Sequence, residues 1–220
     1  MEKTLQRLEL DEKRSRTLGV EDAFRTAVTL IHSQAMYAVA YISKRSSDKI
    51  KIDGIEFTSR VLARNLEGIE RVFPYVLTIG GSLENTARLS RSIAWSFVLE
   101  TVGDLALGSG LEYVQRHISK QHGLVTTSNM GPGQLDWPMD QQRELFSLLG
   151  HVRDTIGVTL TESLMMVPRK SISGIIFPTE ETITSCRLCQ RDKCLSRKAP
   201  FDRALGKEFG CDQEASSAKP

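Results

Sequence analysis

The sequence predicts an α+β fold built on an antiparallel sheet. Three observations carry that expectation. Ile50 and Ile52 alternate with lysines and run into Asp53-Gly54, a hairpin signal. The apolar run Arg71–Ile79 ends at Gly80-Gly81 and reads as a buried strand. A segment from Ser92 to about Gln121 carries Ile93, Trp95, Phe97, Val98, Val102, Leu105, Leu111 and Val114 and reads as a long helix. Strands and helices are mixed, without the regular βαβ rhythm of a parallel sheet.

The elements follow in order. Residues 1–18 are charge-rich, with Leu5, Leu8 and Leu10 in weak alternation, and suggest an edge strand or a docking arm. From Val20 to Arg45 the apolar positions Ala23, Ala27, Leu30, Ile31, Met36, Val39 and Ala40 fit helical spacing, in two pieces. The Lys49–Ile52 hairpin comes next, then a short helix over Ser59–Leu66 with Ser59 as its N-cap. Pro74 inside the Arg71–Ile79 strand points to an edge position or a bulge, because proline cannot donate to a ladder. Ser82 is placed as the cap of the following helix, with Asn85 three residues on. Met139–Leu149 is amphipathic, and Asp136 with Pro138 in the first turn reads as its N-terminal cap. Val158–Leu160, Leu164–Val167 and Ser171–Phe177 read as strands, and the tail after Asp212 as disordered.

Composition narrows the function classes. The 220 residues hold 29 basic and 27 acidic side chains, a net charge of +2, which argues against nucleic-acid binding through bulk charge. Apolar runs such as Ser173–Pro178 fall far short of the roughly 20 residues that a membrane span needs. The N-terminus lacks the apolar stretch of a signal peptide, so a cytoplasmic protein with reduced cysteines is expected. The four histidines are scattered and show no HExxH pattern; no Walker loop and no Gly-x-Ser-x-Gly elbow occurs. Gly108-Ser-Gly110 is read as a site of close helix packing rather than a phosphate loop.

All four cysteines fall between residues 186 and 211, as Cys186-x2-Cys189-x4-Cys194-x16-Cys211. A Cys-x2-Cys step lets two thiolates converge on one centre, and two more complete a set of four ligands. Arg187, Arg191, Lys193, Arg197 and Lys198 lie between them. Cations beside thiols favour the thiolate and offset the negative charge of a thiolate-ligated centre. Three close cysteines and one remote suit an iron–sulfur site, so a 4Fe-4S cluster is the expected occupant; zinc is the alternative, and thiols without metal the third. The segment lacks an apolar run, which makes a bound metal a natural ordering force.

Three segments carry a family resemblance. They are Tyr75-Val-Leu-Thr-Ile-Gly-Gly-Ser-Leu-Glu84, the long helix with Glu112-Tyr113, and Gly131-Pro-Gly through Leu160-Thr-Glu-Ser to Ser171-Ile-Ser-Gly174. In this order they resemble the reactivation (activation) domain of vitamin B12-dependent methionine synthase, over roughly Tyr75–Pro178. The resemblance implies a curved antiparallel sheet with flanking helices, and a shallow groove that presents S-adenosylmethionine to a corrinoid. Family members hold the donor with an Arg and a Tyr flanking the Pro-Gly turn and a Glu on the long helix. Aligned on Pro132-Gly133, this chain has Asn129 at the Arg position and Gln134 at the Tyr position. Aligned on Glu112-Tyr113, it has Gly108 at the Glu position; a shift of one helical turn brings in Glu112 instead.

Asn cannot match the bidentate, charge-assisted bonds of Arg to a carboxylate. Without two such ionic interactions, worth roughly 1.5–3 kcal/mol each, binding is weaker by about a hundredfold or more. The main chain at Gly131, Pro132 and Gly133 remains as a donor-binding element. Trp137, Glu162, Ser171, Ser173 and Gly174 are the residues expected to face a corrinoid or a partner. For Trp137 a core position is an equal reading.

The expected organisation is an activation-like domain over 1–180, a four-cysteine module over 181–212 and a tail over 213–220. The expected function is reductive reactivation of cobalamin held by a partner methyltransferase, with electrons from a donor such as ferredoxin or flavodoxin. Methylation from S-adenosylmethionine is expected to be weak. The other readings are a reductive methylation catalyst that does use that donor, and a docking module stabilised by zinc.

Overall fold

The computed structural model describes residues 2–7, 19–179, 185–191, 194, 197 and 199–209. The chain divides into two compact units. The first takes the described residues up to Met36, then Val76–His117 and His151–Ile172. The second takes Tyr37–Tyr75, Ile118–Gly150 and the described residues from Ser173 onward.

Helices and strands follow the chain as α1 (Glu2–Arg7), α2 (Val20–Leu30), β1 (Gln34–Tyr37), β2 (Ala40–Arg45), β3 (Lys49–Ile52), β4 (Ile55–Thr58) and α3 (Arg60–Asn65). Next come β5 (Arg71–Thr78), α4 (Ser82–Leu89), α5 (Ile93–His122), β6 (Thr127–Met130) and, after a 3-10 turn at Met139–Gln141, α6 (Gln142–Leu149). The remainder is α7 (Val152–Ile156), β7 (Thr159–Leu160), β8 (Met166–Val167), β9 (Ser171–Pro178), α8 (Ser185–Leu188) and α9 (Arg203–Glu208). The main sheet has the order β4-β3-β2-β5-β9-β6, with β1 also paired to β5. The pairs β4–β3, β3–β2, β2–β5 and β9–β6 are antiparallel. The fold class is therefore α+β, as predicted, with an antiparallel sheet flanked by helices.

In the first unit, Val20, Ala23 and Ala27 of α2 pack with Leu83 and Ala87 of α4, Val98, Leu99 and Val102 of α5, and Ile79. Helical spacing of small and branched residues lets these helices approach closely. Gly103 is needed here for space: a Cβ on it would lie 2.8 Å from Leu83 Cδ2. Gly110 lies against Leu77, as close packing predicts, whereas Gly108 faces open space. The run Pro168–Lys170 is tied down by charge. Arg169 Nε meets Glu84 at 2.5 Å, and Lys170 Nζ meets Asp104 at 2.5 Å and Glu100 at 2.8 Å. β7 and β8 form a separate two-stranded ladder.

The second unit is built on the predicted hairpin. Asp53 (φ 44°) and Gly54 (φ 86°) both take positive φ, as a tight primed turn requires. Ile50, Ile52 and Phe57 are 1%, 0% and 0% exposed. Full burial of such side chains contributes about 1.5–3 kcal/mol each. Ser59 caps α3, its hydroxyl accepting from Leu62 N, as expected. Val61, Leu62 and Leu66 join Val72, Met130, Trp137, Leu145, Ile175 and Phe177 in one core.

Several local expectations fail. Glu2–Arg7 is helical, not a strand. The helical reading of Val20–Arg45 holds only to Leu30; Gln34–Tyr37 and Ala40–Arg45 are strands. Their partners are non-local, with Ala40 opposite Val72 and Ile42 opposite Ile52, and such pairing overrides local spacing. Pro74 lies in an interior strand, where its carbonyl accepts from Ala38 N across the gap between β1 and β2; the missing N–H coincides with an interruption of the ladder. Gly81, not Ser82, occupies the cap position of α4. The short helix α7 is an addition to the predicted elements. The C-terminal tail lies outside the described residues.

Candidate functional site

The Gly-Pro-Gly segment leaves the end of β6 and is closed by its own hydrogen bonds. Gly133 N donates to Trp137 O at 2.8 Å, Trp137 N to Gln134 O at 3.0 Å, and Gln134 N to Gly131 O at 3.1 Å. The Gln134 carboxamide folds back on the loop and accepts from Gly131 N at 3.4 Å. Gly133 (φ 82°) supplies the turn, and Leu135 takes a left-handed φ of 54° that few non-glycine residues adopt. The Leu135 side chain packs against the core of the second unit, and that burial offsets the backbone cost.

Gly131 is required for a different reason. A Cβ on it would sit 2.5 Å from Ser173 O, and a Cβ on Gly174 would sit 2.6 Å from Met130 O and 3.2 Å from Tyr75 Cε1. The two glycines face each other across β6 and β9, where Met130 is opposite Ile175. Tyr75, Gly131 and Gly174 come from two of the three resemblance segments, and they meet at one point of the second unit. The Tyr75 ring is buried, and burial pushes its phenol well above the usual tyrosine range.

Asp136 fixes this loop to α3. Its carboxylate accepts from the Ser59 hydroxyl at 2.5 Å, from Arg60 N at 2.8 Å and from Val61 N at 3.3 Å. The expectation that Asp136 caps the helix following it is therefore corrected: it caps α3, more than seventy residues earlier. Helix N-termini present unsatisfied N–H groups and a partial positive charge, which a carboxylate satisfies well. Trp137 is 1% exposed and belongs to the core, edge-on to Phe57 at 5.7 Å. Its indole N–H donates to Gln141 Oε1, which also accepts from Thr58 N. Buried in this way, Trp137 presents no face to a partner.

The other expected groove residues distribute as follows. Asn129 is half-buried on β6, opposite Ile176. Pro132 is buried; Gly133 and Gln134 are exposed; Ser173 is half-buried. Glu112 and Glu162 belong to the first unit and are exposed. Glu162 lies in the turn between β7 and β8, next to Leu164 with its positive φ of 67°. Ser171 is buried in the first unit; its hydroxyl bonds Thr78 Oγ1 at 2.9 Å and Pro168 O at 2.6 Å, so it braces the strand and does not face outward.

The cysteine segment belongs to the second unit. Cys186 and Cys189 are half-buried and Cys194 is exposed. Cys211 lies outside the described residues. Among the described residues no group of three potential metal ligands converges. The segment has anchors that composition did not reveal. Leu188 (2% exposed) and Phe209 (8%) enter the core, and Arg64 stacks over Phe209 at 4.8 Å. Arg187 pairs with Asp202 at 2.7 Å, and Asp202 caps α9. Apolar burial and an ion pair thus hold this segment to the second unit. Among the described residues no helix is long and apolar enough to cross a membrane.

A family model for the vitamin B12-dependent methionine synthase activation domain matches residues 131–196. That span includes the Gly-Pro-Gly loop, β9 and three of the four cysteines. The fold matches the crystal structure of the MetH reactivation domain bound to AdoHcy, with a TM-score of 0.58 and 17% identity, over 81% of this chain and 70% of that one. No curated protein matches the chain. Over residues 131–196 the chain is similar to the activation domain of vitamin B12-dependent methionine synthase, and its overall fold is that of the MetH reactivation domain.

Proposed function

We propose that this chain serves the reductive reactivation of a cobalamin cofactor carried by a partner protein of the methionine synthase type, with an iron–sulfur centre on Cys186, Cys189, Cys194 and Cys211 as electron carrier. The observation that carries the reading is the junction of Tyr75, Gly131 and Gly174. Gly131 and Gly174, distant in sequence and both within the span 131–196 that is similar to the activation domain, close on one another there with backbone-limited precision, against the ring of Tyr75. The donor chemistry of the cysteines fits a thiolate-ligated cluster, which when loaded supplies single electrons at low potential. Around it the chain supplies anchors and charge: Leu188 and Phe209 hold the segment to the core, and Arg197 sits among its carbonyls.

The fit to S-adenosylmethionine is poorer. Residues 129–137 contain no Arg or Lys. The Gln134 amide and the N–H groups of Gly131 and Gly133 are already engaged within the loop. A donor carboxylate meets no cation in this segment. One observation favours the second reading, a catalyst of reductive methylation: the matched MetH domain is described as bound to AdoHcy.

Iron, acid-labile sulfide and zinc are measured first on chain purified without oxygen. About four irons and four sulfides per chain, with dithionite-bleachable colour and electron transfer to a cob(II)alamin-loaded corrinoid protein, are expected. Stoichiometric zinc without iron refutes the electron carrier and leaves a docking module. Titration with S-adenosylmethionine separates the remaining two readings. Micromolar binding selects the methylation catalyst; binding about a hundredfold weaker supports reduction alone.

A further inference from the structure

Arg197 sits at the centre of the cysteine segment. Its guanidinium donates to Cys186 O at 3.2 Å, to Cys189 O at 3.2 Å, to Ala199 O at 3.1 Å and to Arg191 O. Its own N–H donates to Cys194 O at 3.1 Å, and Cys189 N donates to Cys186 O at 3.3 Å. One side chain and its own main chain therefore hold the backbones of all three described cysteines. The Arg187 guanidinium is matched by Asp202. Every guanidinium partner of Arg197 among the described residues is a main-chain carbonyl, so no carboxylate in that set offsets its charge.

We infer that Arg197 is the positioning residue of the cysteine site: it gathers the main chains of Cys186, Cys189 and Cys194 before any metal or cluster is loaded, and places a fixed positive charge at the Cys186 and Cys189 carbonyls. The geometry demands arginine. A planar fork with five donors reaches four carbonyls at once, whereas the three donors of a lysine ammonium diverge from a single atom. The role matches that of outer groups which orient metal ligands and whose loss typically weakens metal binding about 10–100-fold. The inference rests on reading the cysteines as ligands, but it concerns the metal-free chain and can be tested there.

The test uses the full chain with Arg197→Met and Arg197→Lys. Reduced, metal-free protein is alkylated with iodoacetamide, and modification at each cysteine is followed by peptide mass spectrometry. In the wild-type chain, Cys186 and Cys189 react more slowly than exposed Cys194. R197M is expected to bring all three towards one rate, and R197K to do the same although it keeps the charge. Zn2+ affinity, read by competition with a chelator, is expected to fall about 10–100-fold in both variants. An unchanged alkylation pattern in R197K or R197M overturns the inference. Should R197M fail to fold, as read by far-UV circular dichroism, R197K decides. The two readings fail separately. A wild-type chain that takes neither iron nor zinc sinks the cluster but not the positioning role; an unaltered thiol pattern sinks the positioning role while the cluster stands.

Discussion

Gly131→Ala offers a direct test of the β6–β9 junction. The added Cβ would lie 2.5 Å from Ser173 O and 3.6 Å from Gly174 Cα. The obstacle is main chain, so no side-chain rotation relieves it. Comfortable carbon contacts begin near 3.5 Å, so the two strands must part by on the order of 0.5–1 Å. Overpacking of this kind costs about 1–3 kcal/mol. For a chain of this size each kcal/mol moves the melting midpoint by about 2–4 °C, so a loss of roughly 4–8 °C is expected for a mid-range cost. Gly174→Ala should act alike, from 2.6 Å to Met130 O. Because both substitutions open the same gap, the double variant should cost less than the sum by on the order of 0.5–1 kcal/mol. Gly108→Ala is the control of opposite sign. It lies in α5 with nothing within 4 Å of its built Cβ, and should stabilise by about 0.5–1 kcal/mol through helix propensity. Urea and thermal unfolding followed by tryptophan fluorescence and circular dichroism read all four variants. A G131A midpoint equal to or above the wild type, or a G108A midpoint below it, refutes the reasoning.

Two further outcomes follow from the loop anchor and the charge cluster. Asp136→Ala should cost about 2 kcal/mol, because two α3 amides and the Ser59 hydroxyl lose their acceptor, and Asp136→Asn about half as much; equal losses in urea unfolding would rule out a charge-assisted cap. Burial works against the Glu84 carboxylate, yet the side chain and N–H of Arg169 hold its carboxyl below the ordinary value. A depressed folded value makes this contribution present above the unfolded carboxylate range, about 4.3, and lost as pH falls through the folded value. The melting-point gap between wild type and Arg169→Gln should therefore be open at pH 7 and close as pH falls through about 4 and below; a gap constant from pH 7 to 3 would contradict it.

Neighbours along the chain set one part of this fold. The Asp53-Gly54 hairpin, the Ser59 cap and the long helix α5 follow from turn chemistry, capping and spacing within a few residues. The activation-domain resemblance and the cysteine spacing are legible for the same reason, since both are patterns written in order. Partners far away in the chain set the rest. Gln34–Tyr37 and Ala40–Arg45 carry apolar spacing that a helix would also satisfy, and are strands because distant strands offer their hydrogen bonds. Asp136 stands where a cap of the nearest helix would stand and serves a remote one, because a carboxylate goes to the amides that packing brings within reach. Gly131 has the sequence context of a turn glycine, but its need is for space against Ser173 O. Arg197 is one basic residue among several until the fold gathers four carbonyls around it. Local patterns select elements; only packing assigns a side chain to partners that the chain order does not announce.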